Sequence, residues 1–227
     1  MKKTWNDLYE IAESQSGYFT SGQAREQGYE YQHLHYHLKK GKVQRALRGV
    51  YRLTHFPPSE HEDLVAVWLW SDRQGVFSHE TALALHNLSD ALPSQKYLTL
   101  PPTWSKRRLR YPPSVVPSFA KVGPGDRVWN GCLPITSPIR TIQDCRLAHV
   151  DPILIDQAIE EGLDRGLFAK EEVENEAKHH WNKGFETKSQ SQASTFTAFA
   201  SWWFTRDSWL AFFKFSRMML SSKEGSS

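Results

Sequence analysis

The segment 20–53 constrains the fold more than any other part of this 227-residue chain. Residues 20–23, Thr-Ser-Gly-Gln, have the pattern of a capping box, which predicts the start of a short helix. A second helix follows closely, because Tyr31, Leu34 and Leu38 share one helical face and are expected to point into the core. Two short helices separated by only a few residues indicate a helix-turn-helix.

Elements on either side extend this motif. Residues 5–12 carry apolar side chains at i, i+3, i+4 and i+7, which predicts a preceding amphipathic helix. Residues 42–53 have no helical stripe, and β-forming residues flank Arg48-Gly49, where glycine can supply a positive φ. Three helices followed by a β-hairpin predict a winged helix-turn-helix over residues 1–56.

Charge is distributed unevenly although the formal net charge is only +3. Residues 25–52 hold seven Lys or Arg against two acids, and residues 104–110 form a second basic cluster. Residues 151–180, in contrast, hold nine acids against three Lys or Arg. This asymmetry favours a polyanion as partner of the basic segments.

A winged helix of this charge suits double-stranded DNA. Its third helix fits the major groove, with Gln32 suited to adenine, and with Tyr36 and the Lys39–Lys40 end suited to phosphate. The wing is expected to follow the backbone or the minor groove through its arginines, and the start of the second helix is expected to hold a phosphate on Thr20, Ser21 and free amides. Winged helices also serve as protein-interaction modules, which remains an alternative.

The histidines at 33, 35 and 37 resemble a metal-binding run. Residues i and i+2 of a helix point to different faces, and no suitable third ligand accompanies His33 and His37. We therefore predict no metal and no cofactor.

The chain after Pro57-Pro58 is expected to form a separate α+β domain, residues 57–184, with a small, mostly antiparallel sheet. Asn130-Gly131 between apolar flanks predicts a hairpin within it. Residues 185–227 form a tail of atypical composition, first polar and of low complexity, then rich in aromatic residues, to which we assign no function.

No catalytic residues are predicted. The rival hypothesis is a DNA-targeted nuclease, for which Glu186-Thr187-Lys188 offers a Glu-x-Lys motif. That motif lies beside a polar low-complexity run and not in an apolar strand, so the context of a nuclease site is missing. We expect a non-enzymatic protein.

Composition excludes other classes. No window approaches 18 uncharged apolar residues, no apolar stretch follows the N-terminal lysines, and there are only two cysteines. A membrane span, a secretion signal and a disulfide framework are not expected, so we predict a soluble, cytoplasmic protein.

Several segments together resemble the AbiEi-type antitoxins. The matching segments, which lie between residues 5 and 165, are Gly17-Tyr18-Phe19-Thr20, Ala24-Arg25, Gly28, the wing 47–53, the stretch 77–88 (FSHETALALHNL) and the stretch 133–144 (LPITSPIRTIQD).

This resemblance implies a type IV toxin–antitoxin system. The winged helix of such an antitoxin represses its own operon by binding repeats in the promoter, and its C-terminal domain counters a nucleotidyltransferase-like toxin without a stable complex. It adds Gln23 and Arg25 to the candidate site, and it leaves the oligomeric state open. The candidate DNA-binding residues are Thr20, Gln23, Arg25, Gln32, His33, Tyr36, Lys39, Lys40, Lys42, Arg45, Arg48 and Arg52.

Overall fold

A computed structural model describes residues 5–173 of the chain, which contain helices and two β-sheets. The helices are α1 Trp5–Glu13, α2 Ser21–Glu26, α3 Tyr31–Lys39, α4 Glu62–Trp70, α5 His79–His86, α6 Pro138–Leu147 and α7 Pro152–Asp164. The strands are β1 Tyr18–Thr20, β2 Val43–Leu47, β3 Val50–Leu53, β4 Val76–Phe77, β5 Lys96–Leu100, β6 Val115–Phe119, β7 Arg127–Asn130 and β8 Leu133–Thr136.

The first sheet has three antiparallel strands in the order β1–β3–β2. Strands β2 and β3 form the predicted hairpin, and Gly49 in its turn has φ +79°. Together with α1 to α3, this sheet confirms the winged helix-turn-helix. Strand β1 was not predicted, because three residues are too few to show an alternating pattern.

The core of the winged helix joins all three of its helices to the sheet. Leu8 and Phe19 are fully buried, and Leu34 and Val43 are each 2% exposed. The prediction that Tyr31 faces this core is wrong, because its side chain is 78% exposed. His37, one turn after Leu34, takes an inward position, where its ring stacks on Trp5 at a centroid distance of 4.3 Å.

The second sheet has five strands in the order β6–β5–β4–β8–β7. Its β7–β8 hairpin turns at Asn130-Gly131 as predicted, and β4–β5 is also antiparallel. Pairs β4–β8 and β5–β6 are parallel, so this sheet has more parallel pairing than the sequence predicted. The α+β class is confirmed. Packing between residues far apart in the chain decides which strands pair, and local sequence patterns do not predict it.

Helix α4 lies in a core that includes residues of both sheets. Six of its nine residues are buried, and they belong to one cluster with Tyr18 and Val50 of the small sheet and with Phe77 and Leu98 of the large one. Residues 5–173 accordingly lie within one compact unit. The hydrophobic core thus continues across the Pro57-Pro58 junction, and a domain boundary there stays a prediction.

A second cluster packs α5, α6 and α7 together, with Leu83, Ile142 and Ala158 in its centre. His86 on α5 fixes this layer to the sheet, since its Nε2 lies 2.7 Å from the carbonyl oxygen of Thr136 at the end of β8. Burial lowers the pKa of His86, so the neutral ring that donates Nε2–H to this carbonyl is the favoured form.

None of the helices in the stretch 5–173 is long and apolar enough to cross a membrane. The tail 185–227 lies outside the described residues, as do residues 174–184 of the predicted second domain.

Two glycines with nearly equal φ angles allow a matched test of the packing of Phe56 against Gly17. Gly17 has φ +84°, and an added Cβ would lie 2.5 Å from Cγ of Phe56. Gly28 has φ +82°, and its added Cβ would meet nothing within 4 Å. We expect Gly28→Ala to lower the free energy of unfolding by about 1–2 kcal/mol through backbone strain alone. Gly17→Ala should cost roughly 1–3 kcal/mol more, because Phe56 must move.

Urea unfolding of the two variants and the wild type measures this difference. Equal losses in both variants would show that Phe56 does not pack against Gly17.

Candidate nucleic-acid interface

Helix α3 presents a polar face to solvent because its opposite face is held in the core. Leu34 is buried, and His37 and Leu38 are half-buried on the same stripe. At about 100° per residue, Gln32, Tyr36 and Lys39 project on the opposite side. All three are exposed, and Tyr36 retains 57% of its accessible surface. The predicted outward positions of Gln32 and Tyr36 therefore hold in the structure.

Two further residues of α3, Tyr31 and His35, are exposed, and the sequence analysis did not include them in the candidate site. Tyr31 is exposed at the start of α3, and its ring stacks parallel to that of His35 at 6.1 Å. Tyr31 was assigned to the core because it shares the apolar spacing of Leu34 and Leu38. Spacing alone does not distinguish a tyrosine inside a core from one at its rim, because the side chain is amphipathic.

The three alternate histidines of α3 have different surroundings. His33 and His35 are exposed, whereas His37 is half-buried between the rings of Trp5 and Tyr29. Burial, assisted by the charges of Lys42 and His33, lowers the pKa of His37. Residues 5–173 contain no group of three or more side chains able to hold a metal ion.

The end of α3 and the start of the wing carry a row of lysines. Lys39, Lys40 and Lys42 are exposed, and none of them makes an ion pair within the described part of the chain. The Nζ of Lys40 lies 5.9 Å from the centre of the Tyr36 ring, so this cation sits beside the outward face of the helix.

The wing places two arginines in solvent. Val43 and Val50 of the hairpin are buried, whereas Arg45 on β2 and Arg48 at the turn are exposed. Neither arginine has an ion-pair partner among residues 5–173. Both are therefore free to meet an anionic ligand.

Arg52 was predicted to contact phosphate, but its guanidinium is engaged within the protein. Its Nη2 donates to Oε2 of Glu62 at 2.9 Å and to the carbonyl oxygen of Phe56 at 3.0 Å, and its side chain is only 16% exposed. The guanidinium also lies 5.7 Å from the centre of the Tyr18 ring. Arg52 thus fastens the wing to the start of α4.

The start of α2 also differs from the prediction. Thr20 and Gln23 form the predicted capping box: Oγ1 of Thr20 accepts from the amide of Gln23, and Oε1 of Gln23 accepts from the amide of Thr20. Gln23 is 6% exposed, and its Nε2 donates to Oε1 of Gln15 at 3.0 Å. The amide of Ser21 donates to the carbonyl oxygen of Gly49 at 2.8 Å. The Ser21 amide joins α2 to the wing, and the Gln23 side chain joins α2 to Gln15. The Thr20 hydroxyl and the amides of Ser21 and Gln23 are therefore engaged in internal hydrogen bonds, while Arg25 is exposed.

The set of exposed candidate residues differs from the predicted set. It combines the outward face of α3, the lysines that follow it and the free tip of the wing, and Arg25 lies on the adjoining helix α2. We call it the α3–wing surface; it consists of Gln32, His33, His35, Tyr31, Tyr36, Lys39, Lys40, Lys42, Arg45 and Arg48.

Outside the winged helix, the hydroxyl of Ser78 serves packing. Ser78 is fully buried; its Oγ accepts from Oγ1 of Thr99 and lies 2.8 Å from Nδ1 of His79. A buried hydroxyl in this network is closed to substrate. The Glu186-Lys188 motif of the nuclease hypothesis lies outside the described residues.

Comparison with known proteins matches the segment that carries this surface. Residues 6–54 fit the family described as transcriptional regulator, AbiEi antitoxin. The resemblance is therefore confirmed over the winged helix, a shorter range than the residues 5–165 that the motifs suggested. No curated protein matches the chain.

Proposed function

We propose that this chain is a sequence-specific DNA-binding repressor that binds repeats in the promoter of its own operon and acts as the antitoxin of a type IV toxin–antitoxin system. The observation that carries the proposal is the α3–wing surface, which joins an outward polar helix face to unpaired cations within a segment that matches a regulator family. Access to operon DNA fits the predicted cytoplasmic location.

In this proposal α3 lies in the major groove. Gln32 has the donor and acceptor needed to pair with the N6 and N7 edge of adenine, and the hydroxyl of Tyr36 and the ammonium of Lys39 contact phosphates beside it. Tyr31 and Gln32 lie at the start of α3 and His35 lies one turn further on. The N-terminal residues of a recognition helix are those that reach base edges in this motif. Sequence is thus read mainly at the start of α3 and position is fixed at its end.

In this proposal the wing increases affinity for DNA but does not discriminate between base sequences. Arg45 and Arg48 are held on a two-stranded ribbon whose base is tied to α4 by the Arg52–Glu62 pair. A fixed ribbon loses less conformational entropy when its cations meet phosphates than a free loop would. This arrangement favours DNA over the alternative of a protein-interaction module, because a protein partner has no row of phosphates to match it.

The antitoxin half of the proposal rests on the family description of residues 6–54 and on the motifs in 77–88 and 133–144. We infer that residues after the winged helix counter a nucleotidyltransferase-like toxin without forming a stable complex with it. The nuclease hypothesis is not favoured by any contact within the described residues.

Removing the two free wing arginines tests DNA binding. We expect Arg45→Ala with Arg48→Ala to weaken binding to promoter and random duplexes alike, and to reduce the slope of log Kobs against log salt by about two, since each lost phosphate contact changes it by about 0.9. Fluorescence anisotropy across a salt series gives the slope.

The matched control is Lys121→Ala with Arg127→Ala, which removes the same charge from exposed positions outside the winged helix. If both double variants reduced the slope equally, net charge and not the wing would explain the effect.

Gln32→Ala tests base readout. We expect a loss of between about 1 and 3 kcal/mol on the promoter repeat and little change on random duplex, because one bidentate base contact is lost. Lys39→Ala, on the same face, is the control and should weaken both duplexes. A uniform loss in the Gln32 variant would remove this residue as a reader of sequence.

Co-expression tests the antitoxin role separately. The full chain should restore growth to cells that express the nucleotidyltransferase-like product of a neighbouring gene, and the Arg45 and Arg48 double variant should restore it equally, because repression and toxin neutralisation use different residues. Growth curves in an inducible host measure rescue. Absence of rescue by the wild type would contradict the antitoxin role and leave repression standing.

A further inference from the structure

A second cationic surface lies outside the winged helix. It belongs to residues 104–111, which connect β5 to β6 and which we call the basic loop. Within it Lys106, Arg107, Arg108 and Arg110 are all exposed, and none of them makes an ion pair with any residue in the range 5–173. Four uncompensated cations within five residues repel one another, so an anionic partner would relieve that repulsion.

Hydrophobic side chains hold the basic loop against the protein. Trp104 is only 7% exposed, and Leu109 and Tyr111 pack against the same core cluster as α4. The ring of Tyr111 lies 5.8 Å from that of Trp70 at the end of α4. These anchors turn the intervening charged side chains outward.

Backbone hydrogen bonds and one cation–π contact fix the loop further. The amide of Arg107 donates to the carbonyl oxygen of Trp104 at 2.9 Å, and the amide of Leu109 donates to that of Arg107 at 3.0 Å. The guanidinium of Arg107 lies 4.5 Å from the centre of the Trp104 ring. The cations are therefore presented from a folded turn, which lowers the entropy cost of binding a ligand.

Helix α4 connects this loop to the wing. At its start, Glu62 pairs with Arg52 of the wing at 2.9 Å, and at its end Trp70 contacts Tyr111 of the loop. Strand β5 runs beside it, since Lys96 at its first residue pairs with Asp63 at 2.9 Å. Helix α4 has nine residues, and at 1.5 Å per residue the anchor points of the wing and of the loop lie at opposite ends of a helix about 14 Å long.

We propose that the basic loop binds the phosphate backbone of the same DNA duplex, beyond the base pairs that the winged helix reads. This inference rests on the proposed function. Both cationic surfaces belong to one compact unit and are tied to the two ends of one buried helix, so a single long polyanion can neutralise both. The loop adds affinity and lengthens the contacted site, but it reads no bases because its arginines meet phosphates.

The test replaces Lys106, Arg107, Arg108 and Arg110 by alanine and leaves Trp104, Leu109 and Tyr111 in place. Binding is measured by anisotropy over a salt series on two duplexes from the promoter of the operon: one limited to a single repeat, and one extended by about ten base pairs on each side. On the extended duplex the salt slope should fall by about 2 to 4. On the short duplex the variant and wild type should bind alike.

Two controls accompany this variant. Lys121→Ala with Arg127→Ala should leave the difference between the two duplexes unchanged. The charge-retaining variant Arg107→Lys, Arg108→Lys and Arg110→Lys should keep most of the slope, since lysine also binds phosphate as a point charge. Hydroxyl-radical footprints of wild type should extend further along the duplex than those of the alanine variant.

The outcomes separate the two proposals. If wild type shows no preference for promoter DNA, the proposed function fails. If wild type has that preference and the alanine variant keeps the full salt slope and footprint on the extended duplex, the inference about the basic loop is wrong. The same conclusion follows if the variant loses binding only to RNA or to vesicles of anionic phospholipid.

Discussion

Burial of α4 is the constraint on which the rest of the described structure depends. Its six consecutive buried residues, 64–69, join one core with side chains from both sheets, and each large apolar side chain contributes roughly 1.5–3 kcal/mol when removed from water. A helix that is apolar almost all round must be enclosed. That enclosure fixes the wing at one end of α4 through Arg52–Glu62, and the basic loop at the other through Trp70 and Tyr111.

This scaffold decides which residues are available for the proposed DNA binding and which stabilise the fold. Core packing at Leu34 forces the opposite face of α3 outward. In the wing, Val43 and Val50 are buried, whereas Arg45 and Arg48 remain in solvent. In this proposal the cations that have no partner within the fold bind DNA, whereas cations that are ion-paired within the fold do not. Arg52 and Arg45 illustrate the difference: seven residues apart on one hairpin, the first is ion-paired and the second is free.

Local signals predicted the three helices and the hairpin of the winged helix correctly, but not strand β1. The capping box at Thr20 and Gln23 and the turn at Gly49 depend on neighbours within a few residues, so their physics is contained in the sequence. Roles that depend on distant partners were harder to assign. Gln23 was expected to contact DNA, but its side chain is hydrogen-bonded to Gln15. Tyr31 was expected in the core, but its side chain is exposed. Helical spacing predicts neither the Gln15 partner nor the exposure of Tyr31.

The sequence by itself determined a basic head of three helices and a hairpin, because capping, helical periodicity and turn chemistry act over short distances along the chain. Only the tertiary structure decided which cations remain free, which strands of the larger sheet run parallel, and how the segment 104–111 is attached to the same unit as the wing. Those outcomes depend on contacts between residues that are separated in the chain, such as Arg52 with Glu62 and Trp70 with Tyr111. Such contacts form only when the core brings their residues together.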